Sequence, residues 1–123
     1  MRLGAALALA GLLAGEGRAE PPGLTRAEAA AFRAAVGACW AFDPAAPQTV
    51  VTLRFELDPA GRVRGEVTML RGRGGEEADI AAAFAIARAA VLDCQGEGYS
   101  LPPEKHEVWR EVELTFDPRI PMG

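Results

Sequence analysis

Between Val50 and Leu70 the side chains alternate, break at a turn, and alternate again. Val51, Leu53, Phe55 and Leu57 stand against Thr52, Arg54 and Glu56, the period-two pattern of a strand buried on one face. Asp58-Pro59-Ala60-Gly61 follows, where proline presets φ at the first central position and glycine accepts a positive φ. A second run sets Val63, Val67 and Met69 against Arg62, Arg64, Glu66 and Thr68. The expected β-hairpin, about residues 49–70, limits how the rest of the chain can close a sheet.

At 123 residues, half of them hydrophobic, the chain has the size of one domain with a modest core. Alanine supplies much of that half, so the core must rest on a few large side chains. The first residues are set apart from the fold. Met1-Arg2 is a short basic start, residues 3–14 are apolar, and Gly17 and Ala19 supply the small residues of a cleavage site. A signal peptide cleaved near Ala19 is expected, with a retained anchor as the alternative, and the remaining domain is expected in the periplasm. Removing residues 1–19 takes away Arg2, Arg18 and Glu16 and moves the formal charge from −4 to −5. So acidic a domain is a poor partner for nucleic acid or an anionic membrane surface.

Cys39 and Cys94 are the two cysteines, and in an exported protein such a pair is expected to form a disulfide. Each falls where a helix is expected to end. A zinc site is the sharper alternative, but two distant cysteines and the single histidine, His106, are too few ligands to close one. No metal or cofactor is expected.

Residues 20–24, with Pro21-Pro22-Gly23, read as a linker, residues 25–118 as the domain and residues 119–123 as a tail. Thr25-Arg26-Ala27-Glu28 is a capping box. The helix it opens runs to about Cys39 and aligns Ala29, Phe32, Val36 and Cys39. Residues 71–75, rich in glycine, read as a flexible connection. Glu76-Glu77 suit the start of a second helix, with Ile80, Ala83, Phe84, Ala87 and Val91 on one face, ending near Cys94. The last strand is expected from about Glu107 to Phe116. There Val108, Val112, Leu114 and Phe116 oppose Trp109, Glu111, Glu113 and Thr115, and Asp117-Pro118 ends the run.

The expected class is therefore α+β in the order α-β-β-α-β. The second strand reaches the third through a helix, a crossover that leaves those two parallel. Short strands prefer antiparallel neighbours. Both conditions are met by a three-stranded antiparallel sheet of order 2-1-3, with both helices on one face.

Leu53-Arg54-Phe55-Glu56-Leu57-Asp58-Pro59-Ala60-Gly61-Arg62-Val63 resembles the hairpin of the C-terminal domain of TonB and TolA proteins. Cys39-Trp40 and the tail Leu101-Pro102, Lys105, Trp109-Arg110-Glu111, Glu113, Thr115-Phe116 and Asp117-Pro118 are similar to the TolA-type version. The resemblance runs from about Leu24 to Pro118. It implies a non-enzymatic periplasmic protein-binding domain of the cell envelope, with partners of the Tol–Pal or TonB type, often engaged by strand addition at a sheet edge. The long anchor and stalk of that family are not expected here, so binding rather than transmission of motion from the inner membrane is the expected role. A monomer is expected, with a strand-swapped dimer as the alternative.

As an edge, Glu107 to Phe116 leaves alternate amides and carbonyls unpaired, which invites a partner strand. Trp109, Glu111, Val112, Glu113 and Thr115 are the candidate partner-binding residues, with Trp109, Glu111 and Glu113 on the face away from the helices. The plainer alternative makes the glutamates protective charges and Trp109 a cover for the sheet. A proline at Val112 is expected to remove the partner and keep the fold.

Other functional readings are thinner. Gly72, Gly74 and Gly75 lack the spacing of a phosphate cradle, and Glu76 and Glu77 already hold the positive helix end. His106 has no serine or cysteine nucleophile beside it, and Ser100 is the sole serine. Glu104, His106 and Glu107 at a strand entrance are ordinarily solvated rather than acid–base catalysts. Trp40 fits the core or a cover over the disulfide. No catalytic residue is assigned, and the alternative function is a secreted inhibitor or small-ligand carrier on the same fold.

Overall fold

The computed structural model describes residues 23–122, so the expected signal peptide and the first linker residues lie outside the described residues. Helix α1 spans Arg26–Gly37, strand β1 Val50–Leu57, β2 Val63–Arg73, helix α2 Glu77–Asp93, and β3 Glu111–Phe116. A 3-10 turn, Pro103–Lys105, runs directly into a four-residue helix α3, His106–Trp109. The sheet has three strands in the order β2-β1-β3, and both pairings are antiparallel. This is the α+β architecture expected from the sequence.

Local chemistry explains the elements. The Thr25 hydroxyl accepts from the Glu28 N–H at 3.0 Å while the Glu28 carboxylate accepts from the Thr25 N–H at 2.8 Å, closing the capping box of α1. At the start of α2 the Asp79 carboxylate accepts from the Glu76 N–H at 2.9 Å. In the hairpin turn, Asp58 Oδ1 accepts from the amides of Ala60 and Arg62 at 2.9 and 3.0 Å. Gly61 there has φ of 85°, and a Cβ on it would lie 2.2 Å from the Tyr99 carbonyl oxygen. No side chain fits that approach.

The central strand supplies the core. Val51, Leu53, Phe55 and Leu57 are each at most 2% exposed, and they cluster with Phe32 and Val36 of α1 and Ala87, Ala90 and Val91 of α2. Burying one such large side chain contributes about 1.5–3 kcal/mol. Both helices therefore cover the same face of the sheet. Tyr99 closes one end, its hydroxyl donating to the Val91 carbonyl at 2.5 Å, and burial pushes the phenol up to about 12. The Cys39–Cys94 disulfide joins the ends of α1 and α2, with Cα atoms 5.8 Å apart. Beside it Trp40 meets Phe116 edge-on at 5.4 Å, half-buried in the role of core cover.

Two boundaries differ from the sequence reading. The first concerns β2, which continues through Leu70 to Arg73, so the segment read as a flexible connection is largely strand. Its glycine serves packing, since a Cβ on Gly72 would lie 2.6 Å from Ile80 Cγ2 of α2. The second is the last strand, which begins at Glu111 rather than Glu107. Glu107, Val108 and Trp109 form the helical turn α3, and this inverts their expected exposure: Val108 is 37% exposed and Trp109 only 3%.

After β3 the chain turns at Asp117. Its carboxylate accepts from Arg119 Nε and N–H, both at 3.0 Å, and from Nη2 at 2.8 Å. Those bonds hold the Asp117 carboxyl at about 2, below its ordinary 3.8. A depressed carboxyl stabilises the fold above its unfolded value and loses that contribution as pH falls through the folded one. Thermal melts of the protein and of Asp117→Asn should therefore differ most near neutrality and converge as pH falls towards 2. A gap that stays constant with pH would assign the difference to something other than ionisation.

Candidate edge-strand binding site

The partner-binding residues expected from sequence all fall on or beside β3. Register decides which of its backbone groups are free. The Leu57 N–H donates to the Arg110 carbonyl at 2.8 Å, and the same register pairs Phe55 with Val112, Leu53 with Leu114 and Val51 with Phe116. In an antiparallel ladder alternate residues turn their N–H and C=O to the same neighbour. Arg110, Val112, Leu114 and Phe116 therefore bond inward to β1. Glu111, Glu113 and Thr115 direct their N–H and C=O outward, away from the sheet.

Along that edge α1 stands as a wall. The groove between them encloses about 210 Å³ and is lined by Leu24, Phe32 and Arg33 on one side and Val112 and Leu114 on the other. Trp109, Leu101 and Val108 close its end. The wall is pinned: Lys105 Nζ donates to Glu28 Oε1 at 2.9 Å, tying the 3-10 turn to the first turn of α1. The Thr25 amide and Lys105 together hold the Glu28 carboxyl below its ordinary value.

Trp109 occupies a different place from the one expected. Its indole Nε1–H donates to the Pro102 carbonyl at 2.7 Å, and its ring meets His106 edge-on at 4.6 Å. His106 Nε2 lies 3.0 Å from the Leu57 carbonyl, and an acceptor there makes that nitrogen the donor. The indole is thus part of the core at the base of the groove, not a residue on the face away from the helices.

Glu111, Glu113 and Thr115 do lie on that face, and all three are exposed. Thr115 and Thr52 share a hydroxyl–hydroxyl hydrogen bond of 2.9 Å. Glu111 pairs with Arg54 across the strands, and this hydrogen bond raises the guanidinium's pKa. Among the described residues Glu113 forms no ion pair. Val112 is half-buried on the groove side.

The opposite edge is built differently. Gln95 Oε1 accepts from the outward Val63 N–H at 2.8 Å, and Arg62 Nη1 donates to the Gly96 carbonyl at 2.7 Å. The β1–β2 pairing also shifts register twice, between Thr52 and Leu53 and between Arg54 and Glu56. Such plugging and bulging blunt an edge, whereas the β3 pairing is regular throughout.

Other candidate chemistry is dispersed. Ser100 is exposed, Glu107 pairs with Arg110 at 3.8 Å, and His106 holds a backbone carbonyl. No group of three metal-ligating side chains occurs among the described residues. No helix among them is long and apolar enough to cross a membrane. Sequence reasoning missed the residues of the α1 wall, because only tertiary packing brings Leu24, Phe32 and Arg33 to the strand. Comparison with protein families, curated proteins and solved structures finds no match.

Proposed function

We propose that this chain is a non-enzymatic protein-interaction domain of the cell envelope, working in the periplasm as TolA-type C-terminal domains do, and that it binds partners by adding their strand to β3. One observation carries the reading. A regular edge with three outward residues lies beside an apolar groove, while the other edge is plugged and bulged. Main-chain hydrogen bonds would supply affinity and side chains reaching the groove would supply selectivity. The disulfide and the sequence of residues 1–19 support an oxidising compartment. Partners of the Tol–Pal or TonB type follow from the resemblance in the hairpin and tail.

Proline substitution tests this at single-residue resolution. Glu113→Pro deletes an outward N–H and leaves the sheet ladder intact. Val112→Pro deletes an N–H that bonds to β1, so it should lower the melting temperature, contrary to the expectation from sequence. Glu113→Pro should melt close to the parent and lose the amide perturbations that envelope proteins of the Tol–Pal or TonB type cause along β3 and α1. Perturbations on the β2 edge instead, or binding by Glu113→Pro at parental strength, would refute strand addition at β3.

A further inference from the structure

We infer that the β3 edge selects an extended segment whose side chains alternate basic and apolar, in a fixed facing. The inference rests on strand addition at β3 and adds the chemistry of the occupant. An incoming strand has two sets of side chains, one on each face of the enlarged sheet. On the open face its residues would stand directly across from Glu111 and Glu113, with Cβ atoms about 5 Å apart in such a pair. Both glutamates are exposed, and Glu111 is already paired with Arg54. Glu113 stands opposite the same Arg54 in the ladder but forms no ion pair among the described residues, and so carries most of the selection. Opposite charge across a strand pair is favourable and like charge is not.

On the helix face the incoming residues would enter the groove against Leu24, Phe32 and Leu114. Those neighbours favour apolar side chains. Arg33 lines the same groove and is exposed, so a basic residue entering there meets a like charge. Glu111 and Glu113 border the groove as well, so its selection is for apolar side chains rather than against one sign of charge. A shift by one residue would put every side chain on the wrong face. A second copy of β3 fits poorly. Pairing two copies about Glu113 sets that carboxylate against its own counterpart.

Titration of the full chain with three labelled peptides tests this: alternating lysine and valine, alternating glutamate and valine, and a block peptide with the lysines and valines segregated. The alternating lysine–valine peptide should bind at least tenfold more tightly than the other two, with amide shifts on β3 and α1, and binding should weaken as salt rises. Glu113→Lys should weaken that peptide about tenfold and strengthen the glutamate–valine peptide, and Glu113→Gln should fall between. Equal binding of both alternating peptides at β3 would overturn the charge selection and leave strand addition standing. So would self-association through β3 at the expense of either peptide. Shifts confined to the β2 edge would overturn strand addition itself.

Discussion

Replacing Cys39 and Cys94 together by alanine should lower stability by about 4 kcal/mol, and the melting temperature by roughly 15–30 °C. The first figure follows from the loop-closure entropy of a 55-residue separation in the chain-entropy account. The second follows from the unfolding entropy of a domain this size. The loss should fall unevenly. Helix α1 buries only Phe32 and Val36, so the disulfide is one of few anchors holding it to the sheet. Amide exchange in the cysteine-free protein should therefore quicken in α1 before it does in β1. The groove would lose its wall while its edge strand survived, so binding through β3 should weaken under mild reduction before the sheet unfolds. A melting shift of only a few degrees, with α1 protection intact, would show that side-chain packing alone holds that helix.

Trp109→Ala should be comparably severe, costing about 3–5 kcal/mol as large-to-small core replacements of aromatic residues do. The indole is 3% exposed, and its loss also removes one of the two donors to the Pro102 carbonyl, leaving the Lys105 N–H. Urea denaturation of the variant reads this directly. A loss under about 1 kcal/mol together with abolished partner binding would restore Trp109 as a contact residue, as the sequence alone had suggested. Comparable losses of stability and binding would instead reflect a groove whose end has collapsed.

What was legible in the sequence was the chemistry that acts between near neighbours. Thr25 and Glu28 announce a helix start by themselves, and Asp58 with Gly61 announces a turn. Alternation from Val51 to Leu57 located the buried face because one strand contributes the whole pattern. Alternation from Glu107 to Trp109 misled, because three residues of a period-two pattern fit one helical turn equally well. A signal was present: Pro103 sits at the first position of a helical turn, where its missing N–H costs nothing. Gly72 misled in the opposite sense, its small size serving the approach of Ile80 rather than mobility. The edge strand could be named from sequence order. Its groove could not, since Phe32 and Leu114 meet only after the helices dock.

The glutamine that occupies the Val63 amide has an effect on assembly as well as on protection. With that amide taken and the strand bulged twice, the β3 edge of a second copy cannot pair along the full length of β2. Head-to-tail stacking of domains through their sheets is therefore disfavoured.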